Sequence, residues 1–292
     1  MIFAIVGPTG VGKTKLSLEL AKKYNGEIIN ADSTAVYQEL NIGTAKIVDM
    51  EGIVHHLIDI RDLNSHYTVF DFQKEARAIL DDIIKRNKTA IIVGGSGLYL
   101  NSLLYDYHFF KEDNVYDLDY LSDNEMYDEL KKLDIAVDKN NRQRLIRAYA
   151  KYINNSEPTM NDKGGQNLIY DAHIIGLTTD RDILYKRINS RVDEMIEEGL
   201  INEVKYLFNK YPDSKELKTA IGYKEFIPYL NKECDLEDVL ISIKQNSRNY
   251  AKRQYTWFNN KMDIKWFTTD FDNFQNTASD VCKYLNNLKE TN

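Results

Sequence analysis

The sequence is poor in cysteine, in proline and in long apolar runs. Only Cys234 and Cys282 occur among the 292 residues, which excludes a disulfide-rich fold and a C-x-x-C zinc site. Four prolines leave no proline-rich linker between parts of the chain. No apolar run approaches the roughly 20 residues that span a bilayer, and the amino-terminal MIFAIVG suits a buried strand better than a signal peptide. These absences predict a cytoplasmic protein that does not enter a membrane.

Charge is unevenly distributed along the chain. The formal net charge is −7, which on average argues mildly against a nucleic-acid partner. However, residues 139–151 hold five basic and no acidic side chains, and residues 242–265 hold six basic side chains against one acid. Acids dominate in residues 112–138. The two basic segments indicate a basic groove, although solvated helix faces would explain the same pattern.

Short β-rich runs alternate with helical patterns through much of the chain. The predicted strands are residues 2–6, 27–32, 56–60, 89–95 and 172–178. Strands that alternate with helices predict an α/β fold with a parallel sheet covered on both faces. Ligands of such sheets bind at the carboxyl ends of the strands. Motifs that follow the first, second and fourth strands are therefore expected to share one crevice.

The pattern changes between residues 105 and 167, where strand signals stop. We predict that residues 105–167 form a helical insertion in a catalytic core made of residues 1–104 and 168–292. After the fifth strand, Asp180 is predicted to cap one continuous helix that runs to residue 210. A further helix after Asp235, a strand at 264–267 and a last helix are predicted to complete the core.

The strongest local signal is GPTGVGKT at residues 7–14, which fits G-x-x-x-x-G-K-[ST]. Its glycines let backbone N–H groups converge on an anion, and the helix that follows adds its positive end. Lys13 supplies a charge, and Thr14 supplies a hydroxyl for Mg²⁺. The motif predicts a P-loop-type parallel sheet flanked by helices. It is typical of nucleotide-binding and ATP-binding proteins, but alone it does not distinguish a nucleotide from another diphosphate.

The second strand is predicted to end at Asp32, which is followed by Ser33. A carboxylate at a strand tip near a phosphate loop can act as a general base or hold metal-bound water. Aspartate is also a favoured helix cap. A structural role for Asp32 therefore stays open on the residues alone.

Eight blocks occur in a fixed order: GPTGVGKT, NADSTAVYQELNIGTAK, HHLIDI, VGGSGLYL, NNRQRLIRA, RINSRVDEMIEEGL, IGYKE and AKRQYTWF. Together they resemble the bacterial tRNA dimethylallyltransferase (tRNA isopentenyltransferase) family. The resemblance covers the chain except residues 105–139 and the carboxyl-terminal segment. It implies a prenyltransferase that moves a dimethylallyl group from dimethylallyl diphosphate to the exocyclic amine of the adenosine 3′ of the tRNA anticodon, with release of diphosphate.

The resemblance implies that the phosphate loop binds the diphosphate of dimethylallyl diphosphate, with the cofactor Mg²⁺ on Thr14. Arg187 and Arg191 lie four residues apart and are expected to add to this site, although an exposed arginine pair on a helix would look the same. The expected diphosphate-binding residues are Gly7, Pro8, Thr9, Gly10, Val11, Gly12, Lys13, Thr14, Arg187 and Arg191.

Two residues match catalytic positions of the family: Asp32 as the general base toward the adenine amine, and Ser96 as a substrate-binding hydroxyl. The target base must leave the anticodon stack, and arginines beside aromatic residues suit a single-stranded RNA loop. The insertion, residues 105–167, is expected to face the anticodon stem-loop. The expected tRNA-binding residues are Asp32, Ser33, Thr34, Ala35, Gln143, Arg144, Arg147, Lys252, Arg253, Gln254, Tyr255 and Trp257.

The sequence departs from the family at Thr34 and Ala35, since relatives commonly read DSMQVY where this chain has DSTAVY. Ala35 cannot hydrogen-bond a base, and Tyr255 and Trp257 would also suit core packing. Three alternatives stay open: a small-molecule kinase with Asp59 as a metal-binding acid, a prenyltransferase on free adenine nucleotides, and an RNA-binding module with an inactive loop. The expected partners are tRNA and dimethylallyl diphosphate, and the chain is expected to be a monomer.

Overall fold

A computed structural model describes residues 1–109, 120–153 and 167–290 of the chain. Its six strands form one sheet in the order β3-β2-β4-β1-β5-β6, and every neighbouring pair is parallel. The predicted α/β fold with a parallel sheet is confirmed. The strands are β1 (Ile2–Val6), β2 (Gly26–Asn30), β3 (His55–His56), β4 (Thr89–Val93), β5 (Ala172–Thr178) and β6 (Lys265–Thr268).

Helices cover the sheet on both faces, as its apolar strands require. All five residues of β1 are buried, and so are four of the five residues in β4. The helices are α1 (Lys13–Tyr24), α2 (Val69–Lys85), α3 (Gly97–Leu104), α4 (Asp123–Lys132), α5 (Arg142–Ile153), α6 (Arg181–Glu197), α7 (Leu200–Lys210), α8 (Lys215–Thr219), α9 (Ile227–Leu230), α10 (Leu236–Lys261) and α11 (Phe274–Glu290).

The main core lies between the sheet and its helices. Phe3 and Ile5 of β1 pack with Leu16 and Leu20 of α1, and all four side chains are at most 1% exposed. The edge of the Phe3 ring also meets the ring of Tyr24, with centroids 5.4 Å apart. This packing fixes α1, and with it the loop that joins β1 to α1.

Two predicted elements differ from the structure. The helix predicted from residue 181 to residue 210 is two helices, α6 and α7, because Gly199 between them has a φ of 102° that no helix accommodates. Asp180 caps α6 as predicted, accepting from the backbone N–H groups of Asp182 and Ile183. The strand predicted at 56–60 is reduced to His55–His56, since Leu57 and Asp59 adopt positive φ.

The chain divides into two compact units, one of Met1–Leu104 with Leu168–Asn292 and one of Tyr105–Asn167. The smaller unit contains α4 and α5, which pack through the buried side chains of Met126, Leu130 and Leu145. Ser122 caps α4 by accepting from the backbone N–H of Glu125. No helix in the described parts of either unit is long and apolar enough to cross a membrane.

Candidate active site

Three loops meet at the carboxyl edge of the sheet, where ligands of parallel α/β proteins bind. The phosphate loop follows β1, residues 31–35 follow β2, and the glycine-containing loop 94–96 follows β4. β1 and β2 both pair with β4, so the three strand ends are adjacent. The common crevice predicted from the sequence is present.

The phosphate loop is shaped by glycine at its first position. Gly7 has a φ of 134°, and a Cβ there would lie 2.5 Å from the carbonyl oxygen of Leu177, so no other residue fits this turn. α1 begins at Lys13, directly after the loop. The free N–H groups at the start of a helix make the loop a binding site for an anion.

Lys13 turns back over the loop, and its Nζ donates to the carbonyl oxygen of Pro8 at 2.7 Å. Burial, together with the positive charge of Arg191, lowers the pKa of Lys13 to about 8, although the carboxylate of Asp32 opposes both effects. An anion bound in the loop would favour the charged form of Lys13. Lys13, Arg191 and Asp32 therefore form one electrostatic group.

Two arginines of α6 reach the phosphate loop. Arg187 Nε donates to the carbonyl oxygen of Gly10 at 3.1 Å, and one amino group of Arg191 donates to Thr9 Oγ1 at 3.2 Å. The other amino group of Arg191 donates to the carbonyl oxygen of Ala45 at 3.3 Å. Burial lowers the pKa of Arg191 below its usual range. The arginine pair expected from the sequence thus lies against the loop rather than on an outer helix face.

Asp32 caps a turn and keeps one oxygen for other contacts. Its Oδ1 accepts from the backbone N–H of Thr34 at 3.0 Å and from the Thr34 hydroxyl at 2.8 Å. Within the described part of the chain, no hydrogen bond reaches its Oδ2. The structural and chemical roles considered for Asp32 therefore use different oxygens of the same carboxylate.

Ser96 ties the third loop to the second. Its Oγ accepts from the backbone N–H of Ser33 at 3.1 Å and donates to Ser33 Oγ at 3.3 Å. The close approach of Gly94 to Ala31 holds the same two loops together. Ser96 and Ser33 are half-buried neighbours of Asp32.

The helix α10 contributes two faces with different surroundings. Gln254 is 5% exposed, and its amide joins two loops: Oε1 accepts from Thr9 N and Nε2 donates to Gly95 O, each at 3.0 Å. Both ends of this side chain are engaged inside the protein, and the contact between Gln254 and tRNA that the sequence leads us to expect stays a prediction. Lys252 and Arg253 are exposed.

The two aromatic residues of the same block pack inward. The hydroxyl of Tyr255 lies 2.8 Å from Thr178 Oγ1, and its ring packs near Trp266 with centroids 5.8 Å apart. The ring of Trp257 lies against Gly97, at the start of α3. These contacts correspond to the core-packing alternative for both residues.

The tRNA-binding residues expected in the smaller unit lie on α5. Arg144 and Arg147 are exposed there, and neither forms an ion pair with any described residue. Arg142 does, since its guanidinium contacts Asp123 at 2.5 Å. The side chain of Gln143 lies outside the described residues.

Two cavities meet at the loops. One has a volume of about 590 Å³ and lies along the phosphate loop, and the other has a volume of about 490 Å³ and lies toward α8 and α10. The first is lined by Gly10, Thr14 and Arg187, among others. The residues that line both cavities are Thr9, Lys13, Asp32, Thr44 and Arg191.

Four tyrosines that the sequence reasoning missed line the second cavity: Tyr37, Tyr67, Tyr99 and Tyr250. Burial raises the pKa of Tyr250 to about 12, and the charge of Asp32 adds to this effect, so its hydroxyl stays protonated at neutral pH. We call this space the tyrosine-lined cavity. Helical spacing could have identified Tyr250, because it precedes Gln254 by one turn and shares its face.

Asp59, the metal-binding acid of the kinase alternative, lies elsewhere. Its Oδ1 accepts from Lys46 Nζ at 2.5 Å, and it lines neither cavity. Lys46 Nζ also donates to the carbonyl oxygen of Tyr37 at 2.8 Å. Asp59 therefore forms an ion pair with Lys46 and is not positioned to hold a metal beside the phosphate loop.

Comparisons with known proteins agree with one another. The family model described as IPP transferase matches residues 35–261. The chain is 46% identical to a tRNA dimethylallyltransferase from Streptococcus agalactiae over 285 residues, which is 94% of each chain. It is 44% identical to a tRNA dimethylallyltransferase from Anoxybacillus flavithermus, over 97% of this chain and 96% of that one.

Solved structures with the same fold extend the comparison. The crystal structure of a tRNA isopentenylpyrophosphate transferase from Staphylococcus epidermidis has a TM-score of 0.75 and 38% identity, and covers 98% of both chains. A eukaryotic dimethylallyltransferase acting on tRNA has a TM-score of 0.82 and 30% identity, over 96% of this chain and 77% of that one.

Proposed function

This chain belongs to the IPP transferase family, and we propose that it transfers a dimethylallyl group from dimethylallyl diphosphate to the exocyclic amine of the adenosine 3′ of the tRNA anticodon. It is a prenyltransferase of the tRNA dimethylallyltransferase type. The observation that carries the proposal is the position of Asp32. This carboxylate lines both cavities, with Lys13 and Arg191 beside it.

The diphosphate of the prenyl donor binds in the phosphate-loop cavity. Lys13, Arg187, Arg191 and the loop N–H groups supply positive charge there. The bond between the allylic carbon and oxygen breaks with its electron pair leaving on the diphosphate. Fixed positive groups stabilise that developing charge without reorganising.

The target adenine enters the tyrosine-lined cavity and presents its amine to Asp32. The amine forms the new bond to the allylic carbon and passes its proton to the carboxylate, because the lone pair of an adenine amine is too delocalised to react well unaided. Oδ2 of Asp32 accepts no other hydrogen bond from the described residues and serves as the base. Ser96, beside Ser33 and Tyr250, holds the substrate in register.

A metal ion fits the phosphate-loop cavity through Thr14. Thr14 is exposed there, and Asp32 lines the same cavity. No cluster of three or more His, Cys, Asp or Glu side chains suited to a metal occurs in the described parts of the chain. This sparse oxygen set suits Mg²⁺, which binds through few protein oxygens together with substrate phosphates and water. When bound, Mg²⁺ would neutralise charge on the diphosphate.

The partners follow from this reaction. tRNA is the acceptor, and exposed cations in both units, including Arg144, Arg147, Lys252 and Arg253, are available to contact its anticodon stem-loop. We also propose that the enzyme acts as a monomer. We place the activity in the cytoplasm, where tRNA is found.

One experiment tests the proposal against its alternatives. The protein is incubated with Mg²⁺, labelled dimethylallyl diphosphate and either unmodified tRNA or AMP. Label in the tRNA alone is the expected result. Label in AMP alone would support the free-nucleotide prenyltransferase, and thermal protection by micromolar ATP but not by dimethylallyl diphosphate would support the kinase.

A further inference from the structure

The loop that joins β6 to α11, residues 269–273, packs against the phosphate loop. Thr269 is 5% exposed, and its hydroxyl donates to the carbonyl oxygen of Val11 at 2.9 Å. The ring of Phe274, the first residue of α11, also packs there, since a Cβ on Gly12 would lie 2.8 Å from it. The eight sequence blocks stop before β6. The carboxyl-terminal segment therefore supports the phosphate loop through contacts that those motifs do not contain.

Hydrogen bonds of Asp270 hold the backbone of this loop. The N–H of Asp270 donates to Thr277 Oγ1 at 2.8 Å. Its carboxylate accepts from Asn273 N at 2.8 Å and from Asn276 Nδ2 at 2.7 Å. Phe271 lies between two residues joined in this way, Asp270 and Asn273, so the loop determines where its ring is placed.

The ring of Phe271 stacks on the guanidinium of Arg187. Arg187 Cζ lies 3.9 Å from the ring centroid, the shortest distance between a cation and a ring centroid in the described parts of the chain. At the same time Arg187 Nε donates to the carbonyl oxygen of Gly10. A guanidinium donates hydrogen bonds in its plane and stacks through its face, so the two contacts do not compete. Together they orient an exposed side chain beside the phosphate loop.

This orientation leaves the two amino groups of Arg187 for a ligand. No hydrogen bond or ion pair reaches either of them from the described residues, and Arg187 lines the phosphate-loop cavity with Lys13 and Arg191. An exposed arginine loses side-chain freedom when it binds an anion, which weakens binding. A contact that already restricts the side chain in the free protein reduces that loss. Phe271 does not line the cavity, so its effect on a bound anion has to pass through its neighbours.

On the basis of the proposed function, we propose that Phe271 is a positioning residue of the diphosphate site. Its ring holds the guanidinium of Arg187 in the orientation that binds the diphosphate of the prenyl donor. The alternative is that the half-buried ring of Phe271 only fills space in the fold. The two roles differ in one respect: positioning depends on the presence of Arg187, and packing does not.

A double-mutant cycle tests this role. Inorganic diphosphate is the probe, and calorimetry measures its dissociation constant for the wild type, Phe271→Leu, Arg187→Gln and the double variant. We expect Phe271→Leu to weaken binding about three- to tenfold, as the loss of one cation–π contact predicts. It should add no further loss in the Arg187→Gln background, because the two side chains act as one unit. Phe271→Tyr keeps the ring and should bind diphosphate as the wild type does.

Phe267→Leu is the matched control. Phe267 lies on β6, packs against the ring of Tyr284 with centroids 5.7 Å apart and lines neither cavity. This variant should bind diphosphate as the wild type does. In Phe271→Leu the KM for dimethylallyl diphosphate should rise by the same factor as the dissociation constant, with the KM for tRNA unchanged. If Phe271→Leu is unstable, Phe271→Met takes its place, because methionine is long and apolar but has no ring.

Wild-type diphosphate affinity in Phe271→Leu would overturn the positioning role. So would an equal loss from Phe271→Leu with and without Arg187, since the ring would then act independently of the guanidinium. A loss in Phe271→Tyr as large as that in Phe271→Leu would also contradict the role, because the stacking ring is retained. A wild type that binds diphosphate but labels no tRNA would instead overturn the proposed function.

Discussion

We propose two roles for the Asp32 side chain, capping of the turn and general-base catalysis, and a single substitution separates them. Asparagine can still accept from Thr34 through Oδ1, which preserves the turn, but it cannot take a proton from the amine. We expect Asp32→Asn to bind inorganic diphosphate normally and to lose about a hundred- to ten-thousandfold in prenyl transfer. Single-turnover transfer to tRNA is the measurement.

The control for this variant is Asp213→Asn, because the Asp213 side chain is fully exposed and lies in neither cavity. It should retain wild-type transfer. Turnover of Asp32→Asn within a few-fold of wild type would assign Asp32 a structural role only.

We predict that Lys13 makes the affinity for diphosphate depend on pH. Burial lowers its pKa from 10.5 to about 8, so its positive charge is present below pH 8 and is lost as the pH rises through that value. An anionic ligand favours the charged form, and binding should therefore weaken above pH 8. Between pH 7 and pH 9 we expect roughly a tenfold loss of affinity for inorganic diphosphate, measured by calorimetry.

Lys13→Met controls for titration of the ligand itself. Its affinity should be low at both pH values, with less dependence on pH than in the wild type. A wild-type affinity that is flat between pH 7 and pH 9 would show that Lys13 is not the titrating group.

At the same scale, the position of the phosphate loop between β1 and α1 could be predicted from the sequence better than the contacts around it. The loop is local, so its glycines and Lys13 are set by the order of neighbouring residues. Gln254 is different: its amide joins Thr9 and Gly95, which are more than 150 residues away in the chain. A contact of that kind depends on how α10 packs, and the basic residues next to Gln254 suggested RNA instead.

At the scale of secondary-structure elements, α7 holds the segment that borders both cavities. The carboxylate of Glu203 accepts from Ile42 N at 3.0 Å, from Gly43 N at 3.2 Å and from the Tyr223 hydroxyl at 2.6 Å. Thr44, the next residue, lines both cavities. α7 and the IGYKE block thus position a wall of the site from outside it.

Tyr223→Phe tests this arrangement. Glu203 would lose one of its donors, and we expect the free energy of unfolding to fall by about 1–2 kcal/mol. Urea denaturation measures the change. Tyr229→Phe is the matched control, because the Tyr229 hydroxyl has no hydrogen-bond partner in the described part of the chain. Equal stability of the two variants would contradict a role for the Tyr223 hydroxyl.

Helices and strands were predicted well where the apolar periodicity was strong. They were predicted poorly where a single backbone angle determines the end of an element. The strands β1, β4 and β5 are mostly apolar, and their alternation with helices predicts that they pair in parallel. The break at Gly199 is not visible in the apolar pattern, which continues through Leu200. On α10, helical spacing alone puts Ala251, Gln254 and Phe258 on the buried face.

At the scale of the whole molecule, a protein of net charge −7 must bind a polyanion through local charge. The larger unit offers Lys252 and Arg253, and the smaller unit offers Arg144 and Arg147, all of them exposed. An alternative role for the arginines of the smaller unit is to form ion pairs with acidic side chains of residues 112–138. Of these arginines, Arg142 forms that kind of pair with Asp123, while Arg144 and Arg147 form none with the described residues.

Salt dependence of tRNA binding tests whether these four cations contact RNA. Each phosphate contact releases counterions, so neutralising one contact should lower the slope of log affinity against log salt by roughly 0.7 to 0.9. We expect this for Arg144→Gln, Arg147→Gln, Lys252→Gln and Arg253→Gln, each measured by filter binding between low and moderate salt. Affinity for inorganic diphosphate should not change, because none of the four lines the phosphate-loop cavity.

Lys283→Gln is the matched control for these four variants. Lys283 is 73% exposed on α11 and lies in neither cavity. Lys283→Gln removes one positive charge, as each of the four variants does. A general electrostatic effect would therefore also lower the slope of log tRNA affinity against log salt in Lys283→Gln. Specific phosphate contacts predict instead that only the four site variants change. If all five variants kept the wild-type slope, the exposed arginines and lysines would be solvated surface charges, and the tRNA would have to be bound by other residues.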